Sequence, residues 1–266
     1  MHGRLEDRVA FLTGAGSGIA RASAHLFARE GARVVVAEIN QARGQQVCAD
    51  INASGGEALF VTTDVTQPDS VEHALAAGVE RFGKINVLVN AAGGSIREDR
   101  SVTSVDLDVW DHTINLDLKG PFLCCKFGIP HLIAAGGGAV VNFSSVVALK
   151  GNFPGHVYSS AKGAIISFTQ ALAGRYWRDN IRANAIAPGL ILSERILERS
   201  SLDPASDPQA QMEAARIANE RIFDEQHPFA VGTPEDIANV ALFLASDEAR
   251  MVNGAVIPAE GGLSKY

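Results

Sequence analysis

Two residues near the middle of the chain have the types and the spacing needed for proton transfer. Tyr158 and Lys162 lie four positions apart in the segment Tyr-Ser-Ser-Ala-Lys, so a helix places both on one face. A phenol with an ordinary pKa of about 10 is a poor acid or base at neutral pH. An ammonium group beside it favours the phenolate, so the pair predicts a tyrosine proton shuttle, with a plain surface pair as the alternative.

A glycine-rich turn follows the first apolar run of the chain, where residues 13–20 read TGAGSGIA. Glycines let the backbone approach a pyrophosphate closely, and the amides that start the following helix bind anions. The spacing departs from G-x-G-x-x-G, because Ile19 or Arg21 takes the place of the third glycine in the two possible registers. The turn predicts a phosphate site, with a tight turn as the alternative; the residues predicted to bind are Gly14, Gly16, Ser17, Gly18 and Ile19.

An acidic residue stands where such a site would bind the adenosine ribose. Glu38 ends the second apolar run, about 20 residues after the last glycine of the turn. A carboxylate there accepts hydrogen bonds from ribose hydroxyls and repels a 2′-phosphate, and neither position 17 nor position 39 is basic. NAD is therefore predicted over NADP, unless Glu38 is merely a solvated strand end. Asp64 and Val65 follow the third run and are expected near the adenine, although Asp64 equally fits a helix-capping role.

Seven short apolar runs, rich in β-branched residues, alternate with stretches of helical spacing. Runs that are apolar on both faces indicate strands buried between helix layers, and the alternation indicates right-handed βαβ units. We expect a single Rossmann-type α/β domain over residues 1–266, built on a doubly wound parallel sheet of about seven strands flanked by helices. The expected strands are Val9–Thr13, Arg33–Ala37, Leu59–Thr62, Val87–Asn90, Val140–Phe143, Ala183–Ala187 and Ala255–Pro258.

Two later segments have recognisable organisation. Thr233, Pro234 and Asp236 form a capping-box pattern that predicts a helix through Ala245.

Residues from about 190 to 228 contain Asp-Pro pairs, many charges and a helical pattern over 209–223. Such an insertion in a compact domain predicts a functional lid over a substrate site rather than disorder.

Composition excludes several kinds of partner. The 23 basic and 30 acidic side chains give a formal net charge of −7, which is not the footprint of a protein that binds nucleic acid or anionic membrane. Cys48, Cys124 and Cys125 imply no disulfide framework and fit a reducing cytoplasm as apolar packing residues. No signal-like N-terminus, no long apolar run and no metal-ligand spacing among the seven histidines is present. We expect a cytoplasmic protein with a small-molecule ligand and no catalytic metal.

Taken in order along the chain, these motifs resemble those of the short-chain dehydrogenase/reductase family. The resemblance covers nearly the whole sequence: TGAGSGIA, Asp64-Val65, the NAAG of residues 90–93, Asn115, Ser145, YSSAK and the APG of residues 187–189. It implies that Tyr158 is the catalytic acid/base and that Ser145 binds the reacting oxygen. It also implies that Lys162 binds the nicotinamide ribose while lowering the pKa of the tyrosine, and that Asn115 holds a relay water near Lys162.

The resemblance also implies further contacts. Ala20 and Ala91 replace a usual glycine and a usual asparagine, and Ser193 stands where a threonine often binds the cofactor carboxamide. The other cofactor-binding residues implied are Asn90, Ala91, Ala92, Gly93, Pro188, Gly189 and Ile191. Expected to line the substrate pocket are Gly94, Ser95, Val146, Val147, the turn 154–156 with His156, Leu190 and the segment from Glu194, with a solvated or capping role as the alternative for His156.

The expected activity is hydride transfer between NAD and a secondary alcohol or ketone. A 3-oxoacyl-thioester reductase resembles the sequence almost as well, but Glu38 and the acidic net charge count against it. A protein that senses NAD without turnover has no need of the proton relay. A serine-lysine hydrolase is disfavoured because only the Ser159-x-x-Lys162 part of its signature is present.

Small residues along the helix that begins near Tyr158 predict close helix contact between subunits. Ala161, Gly163, Ala164, Ala171 and Gly174 surround Ile165 and Phe168 in this segment. Packing on the chain's own sheet is the alternative. Because resembling proteins pair this helix and the one carrying Asn115 across subunits, we expect a homotetramer.

Overall fold

Strands and helices alternate along the part of the chain that the computed structural model describes, which is residues 3–151, 153–196, 229 and 231–265. The strands are β1 (Val9–Thr13), β2 (Arg33–Glu38), β3 (Glu57–Thr62), β4 (Val87–Asn90), β5 (Gly138–Phe143), β6 (Ile181–Pro188), β7 (Leu190–Ile191), β8 (Val231–Gly232) and β9 (Val256–Ala259). The helices are α1 (Gly18–Arg29), α2 (Gln41–Ala53), α3 (Pro68–Phe82), α4 (Leu107–Ile114), α5 (Gly120–Ala134), α6 (His156–Tyr176) and α7 (Pro234–Ala245). A π-helical turn, Asn115–Lys119, joins α4 to α5.

Seven of the strands form one parallel sheet in the order β3-β2-β1-β4-β5-β6-β9. The chain runs outward from β1 in one direction and then returns to β4 to continue in the other. Loops at the carboxyl ends of β1 and β4 therefore diverge to opposite faces and leave a crevice, which is where ligands bind in open α/β sheets. The expected doubly wound architecture is confirmed.

Two apolar layers sandwich the sheet. Side chains of α1, α2 and α7 pack on one face with Leu12, Val34 and Val36, and those of α3, α5 and α6 pack on the other with Phe11 and Val35. The strands β1, β2 and β4 are buried on both faces, as their apolar sequences predicted, whereas the edge strands β3 and β9 are partly exposed. This packing fixes the strand ends from which the site is built.

The expected strands match the observed ones to within a few residues. β3 and β5 start two residues earlier than expected, at Glu57 and Gly138, because backbone pairing extends the ladder beyond the apolar side chains. The short strands β7 and β8 pair with each other outside the main sheet and were not predicted. The capping box at Thr233 is present: its hydroxyl accepts from the Asp236 amide and the Asp236 carboxylate accepts from the Thr233 amide.

Most of the predicted lid lies outside the described residues, because residues 197–228 include its helical pattern over 209–223. Its described beginning, Glu194 to Ile196, forms the first turn of a helix. Among the described residues, no helix is both long and apolar enough to cross a membrane.

Candidate functional site

The predicted chemical residues meet at the carboxyl ends of β1, β2, β4, β5 and β6. Tyr158 and Lys162 lie in the first two turns of α6, and Ser145 lies just beyond β5. The Ser145 hydroxyl makes a hydrogen bond with the Tyr158 hydroxyl, and Lys162 Nζ lies 5.5 Å from the centre of the tyrosine ring. Three residues from two elements are thus brought together as the sequence predicted.

Two hydrogen bonds join helix α6 to the end of β5, one donated by the Lys162 side chain and one accepted by the Lys162 carbonyl. Lys162 Nζ donates to the Phe143 carbonyl at 3.1 Å, and Ser144 Oγ donates to the Lys162 carbonyl at 2.8 Å. Both partners are buried, so the bonds are poorly screened and hold the helix and the strand in one register. The strand end therefore positions Lys162 directly.

The start of α6 is held by a carboxylate that sequence reasoning missed. Asp99, buried in the loop after β4, accepts from the Val157 amide at 3.2 Å and from the Tyr158 amide at 2.8 Å. These are orphan donors of the first helical turn, and a negative charge there also complements the helix dipole. A residue 58 positions earlier in the chain cannot be recognised as a cap from local spacing.

Asp117, not Asn115, lies against Lys162. Asp117 Oδ1 is 3.0 Å from Lys162 Nζ and accepts from the Gly94 amide at 2.8 Å. Asn115 begins the same π-helical turn, two residues before Asp117. The relay role of Asn115 stays a prediction, and the side chain in direct contact with Lys162 is the carboxylate of Asp117.

Burial and charge act in opposite directions on the two titrating residues. Burial raises the pKa of Tyr158 above its usual range; Lys162 opposes this, Asp117 adds to it, and the Ser145 hydrogen bond lowers it. Burial lowers the pKa of Lys162, but Tyr158 and Asp117 outweigh it and leave that pKa raised. Lys162 favours the phenolate as predicted, yet the net shift of the tyrosine is upward because desolvation is larger.

The glycine-rich turn provides an anion site at the start of α1. Gly14 and Gly18 have positive φ angles of 66° and 54°, and a Cβ at Gly14 would lie 2.9 Å from Ala92 Cα. Ser17 makes no side-chain cap, and the Gly18 amide donates to Glu194 Oε2 at 2.9 Å. Glu194 also forms an ion pair with Arg21. A carboxylate bound at this helix N-terminus demonstrates that the donor set suits an anionic oxygen, such as that of a pyrophosphate.

Glu38 lies beside this turn at the end of β2. It is buried, and its two oxygens accept from the Gly16 amide and the Asn40 amide, each at 2.9 Å. Each carboxylate oxygen keeps a lone pair for a further donor, which suits a ribose hydroxyl. A Cβ at Gly16 would lie 2.8 Å from Glu38 Cγ and 2.9 Å from Arg43 Cβ. Arg43, which was not predicted to be part of the site, therefore begins close to this carboxylate.

Three of the predicted cofactor residues have structural partners within the chain. Asp64 Oδ1 accepts from the Thr66 amide at 2.9 Å in the turn before α3, whose N-cap residue is Gln67 and not Asp64, while Val65 packs against Gly120. Asn90 Nδ2 donates to Asn142 Oδ1 at 2.8 Å, and Asn90 Oδ1 has no partner among the described residues. Asn90 therefore links β4 to β5.

The loop after β4 is held by a residue of the glycine-rich motif. Thr13 Oγ1 accepts from the Ala91 and Ala92 amides, each at 3.1 Å. The motif thus orders residues 91–93 in addition to forming its own turn. This contact places Gly93 beside Asp117, where a Cβ would collide with the Asp117 carboxylate.

The segment after β6 crosses the same crevice. The Gly189 amide donates to the Ala259 carbonyl at 3.1 Å, which fixes the turn that starts at Pro188. Ile191 is buried, and Ser193 Cβ would lie 3.3 Å from a Cβ on Gly18. The start of α1 and the segment after β7, both predicted to bind cofactor, therefore lie next to each other at the crevice.

Predicted pocket residues occupy mixed environments. Val146 and Leu190 pack together with Val231 and Leu263, and Val147 is half-buried. Arg195 donates to the carbonyls of Gly93 and Gly94, each at 3.0 Å, and also to that of Ser95. A guanidinium that sequence reasoning passed over therefore lies over the loop expected to line the pocket.

His156 is engaged by the neighbouring loop. Its exposed side chain accepts from the Val102 amide at Nδ1, at 3.1 Å, and its own amide donates to the Arg100 carbonyl. The structure thus favours the capping alternative for this residue over the pocket-lining one. Among the described residues, no group of three or more His, Cys, Asp or Glu side chains could hold a metal ion.

Known proteins match this chain over nearly its full length. A family model described as Enoyl-(Acyl carrier protein) reductase matches residues 14–264. A 3-oxoacyl-[acyl-carrier-protein] reductase of Thermotoga maritima is 35% identical over 98% of this chain and 99% of its own. A cis-4-hydroxycyclohexanecarboxylate dehydrogenase of Sinomonas cyclohexanicum is 35% identical over 96% of each chain.

A solved structure matches the fold equally well. The crystal structure of a candidate short-chain dehydrogenase/reductase from Burkholderia xenovorans superposes with a TM-score of 0.88 at 33% sequence identity, covering 99% of both chains.

Proposed function

Because the chain belongs to the short-chain dehydrogenase/reductase family, whose members are oxidoreductases that bind a nicotinamide cofactor, we propose that it interconverts a secondary alcohol and a ketone with NAD(H). The observation that carries this proposal is the cluster of Tyr158 with the buried Ser145 and Lys162, beside an anion-binding glycine turn. A dehydrogenase needs a proton acceptor next to the place where a hydride leaves, and this cluster supplies one.

Tyr158 acts as the acid/base in this mechanism. In the oxidation direction its phenolate takes the hydroxyl proton of the substrate, while Ser145 donates a hydrogen bond to the reacting oxygen. Lys162 lies close enough to favour the phenolate. When bound, the nicotinamide ring supplies the position that takes the hydride. Proton transfer by a positioned side chain contributes about 10²- to 10⁴-fold to the rate.

The cofactor assignment rests on Glu38 and the start of α1. We propose that Glu38 accepts the ribose hydroxyls and that the amides of the glycine turn hold the pyrophosphate, which requires Glu194 to release the Gly18 amide. A 2′-phosphate would lie against the Glu38 carboxylate, so NAD is proposed over NADP. The turn from Pro188 to Ser193 would close on the nicotinamide end, with Ser193 as the hydroxyl donor.

A second candidate is reduction of a 3-oxoacyl thioester. The relative from Thermotoga maritima that carries this activity in its name covers the whole chain, at the same identity as the dehydrogenase of a cyclic hydroxy acid. The formal charge of −7 opposes docking of an acidic carrier protein, and Glu38 opposes NADPH. We therefore rank alcohol oxidation first. A sensor that binds NAD without turnover has no use for the buried lysine and tyrosine.

The test is NADH formation from NAD across secondary alcohols, polyols, cyclic alcohols and hydroxy acids, monitored by absorbance. Turnover with any one class supports the proposal and names the substrate class. No turnover with any of them, together with NADPH oxidation in the presence of a 3-oxoacyl thioester, would replace it with the second candidate. No turnover with either set, despite measurable NADH binding, would favour the sensor.

We further propose a homotetramer in the cytoplasm, with residues 190–228 as a lid on a single domain spanning residues 1–266. Small residues with open space beside them, Gly163 and Gly174, and the exposed ring of Phe122 support contact between α5 and α6 of neighbouring subunits. The three cysteines are unpaired, and two of them are fully buried, which suits a reducing compartment.

A further inference from the structure

We propose that Asp117 is a positioning residue that holds Lys162 in place and, through its negative charge, moves the working pH range of Tyr158 upward. The inference deepens the proposed function, since it concerns the acid/base step assigned to Tyr158. Asp117 touches neither substrate nor cofactor in this scheme. It acts through Lys162.

Geometry makes Asp117 the shared anchor of two elements. One oxygen, Oδ1, accepts from Lys162 Nζ at 3.0 Å on α6 and from the Gly94 amide at 2.8 Å on the loop after β4. The side chains are nearly out of contact with solvent, at 1% exposure for Asp117 and 5% for Lys162. A buried ion pair of this kind is screened little by water or salt, so its charges act strongly on their neighbours.

The surroundings of the second oxygen of Asp117 indicate that this side chain acts through its negative charge, which an asparagine at the same position would lack. Asp117 Oδ2 is buried and has no hydrogen-bond partner among the described residues. An asparagine could make both of the Oδ1 contacts with its amide oxygen and would leave a neutral group at the Oδ2 position. The two hydrogen bonds therefore do not by themselves require a carboxylate.

The charged groups that face the tyrosine come from three elements. Lys162 lies on the helix that carries Tyr158, Asp117 on the π-helical turn and Arg195 after β7. The loop after β4 adds Asp99, whose carboxylate accepts from the Tyr158 backbone amide and not from the phenol. Lys162 and Arg195 favour the phenolate, and Asp117 opposes it. By pairing with Lys162, Asp117 also reduces the effect of that cation on the phenol.

The direction of the pH effect follows from these signs. Oxidation of an alcohol requires the phenolate, so a negative charge near Tyr158 shifts the rise of kcat/KM towards higher pH. Removing that charge should shift the rise towards lower pH by about 1 unit, the lower end of the range for a single charge at short distance. The matched change is Asp117→Asn, which keeps the shape and both hydrogen bonds of Oδ1.

The decisive measurement is a spectrophotometric titration of the Tyr158 phenolate in the full-length protein without cofactor or substrate. The chain has three tyrosines, so each titration is paired with the same protein carrying Tyr158→Phe, and the difference isolates Tyr158. We expect the midpoint in Asp117→Asn to fall by about 1 pH unit from the wild-type value. Glu260→Gln, which removes a buried carboxylate that does not act on Tyr158, should leave the midpoint unchanged.

An unchanged midpoint in a folded Asp117→Asn variant would overturn the proposal and reduce Asp117 to a structural contact. Folding is checked by thermal melting, and Asp117→Ser provides a second neutral variant for which the same shift is required. The titration does not depend on turnover, so its failure is separate from failure of the proposed function. Where a substrate is available, the kcat/KM profile of Asp117→Asn should move in the same direction by a similar amount.

Discussion

At the scale of single residues, the proposed preference for NAD over NADP rests on Glu38. Its carboxylate accepts from two backbone amides and is buried at the place proposed for the ribose. A Cβ on Gly16 would also lie 2.9 Å from Arg43 Cβ, so Arg43 begins close to this carboxylate. The backbone amides of Gly16 and Asn40 orient the Glu38 carboxylate, so the proposed preference is assigned to its charge.

Glu38→Gln should narrow the preference for NADH over NADPH by about 10-fold. Loss of the negative charge removes its repulsion of the 2′-phosphate of NADPH, and it also weakens the charge-assisted hydrogen bonds to the ribose of NADH. Binding is measured by fluorescence titration with both cofactors. Arg43→Ala is the control and should keep the preference for NADH. An identical preference in wild type and Glu38→Gln would mean that Glu38 does not contact the ribose.

Residue types were easier to predict than residue partners. Tyr158 and Lys162 could be predicted because their identities and four-residue spacing fit one chemistry, and Ser145 because the family resemblance implies it. The structure brings the three together. The contact of Asp117 with Lys162 could not, because the π-helical turn that aims it is not encoded by any local pattern. Asn115, two positions earlier, was the residue predicted there because the resemblance implies an asparagine.

At the scale of elements, helix α6 carries Tyr158 and Lys162, and its contacts position both side chains at the end of the sheet. Its first turn depends on Asp99, and its second depends on the bonds to Ser144 and Phe143 at the end of β5. Strand positions were predictable from apolar runs, to within a few residues. The cap at Asp99 was not, because it arrives from a distant loop that only the folded chain brings close.

Asp99→Ala should cost about 1 to 2 kcal/mol of unfolding free energy, as expected for loss of a helix cap, and should also lower kcat because Tyr158 loses the bond at its own amide. Chemical denaturation and steady-state kinetics measure the two effects. Thr233→Ala removes the cap of α7, which is remote from the tyrosine, and should cost similar stability with unchanged kcat. Equal kcat in all three proteins would show that the first turn of α6 does not position Tyr158.

At the scale of the whole molecule, one parallel sheet places the glycine-rich turn and the ends of β2, β4, β5 and β6 along a single edge. The reversal of strand order between β1 and β4 creates the crevice, and the resemblance read from the motifs is confirmed by relatives and by a solved structure of the same fold. One face of α5 and α6 points away from the sheet and is exposed. On this face Phe122 packs on Phe168, with ring centres 5.7 Å apart. A ring that is 49% exposed on such a face suits a subunit contact.

Phe122→Arg should break the proposed tetramer into smaller species, because a charge cannot be buried against the same face of a second subunit without a partner. Light scattering after size-exclusion chromatography should give four times the 28.0 kDa chain mass for wild type and less for the variant. Met251→Arg, at an 81% exposed position of the turn between α7 and β9, is the control and should match wild type. A wild-type monomer would contradict the assembly outright.

The most direct test of the acid/base assignment is the turnover of Tyr158→Phe, measured with the best alcohol substrate by NADH absorbance. The account predicts that activity falls by at least about 10²-fold while NADH affinity, measured by fluorescence, stays within about 2-fold of wild type. Only the phenolic oxygen is removed, so the ring still fills its place beside Phe153 and Lys162. Turnover near the wild-type level in this variant would contradict the central claim that Tyr158 transfers the proton.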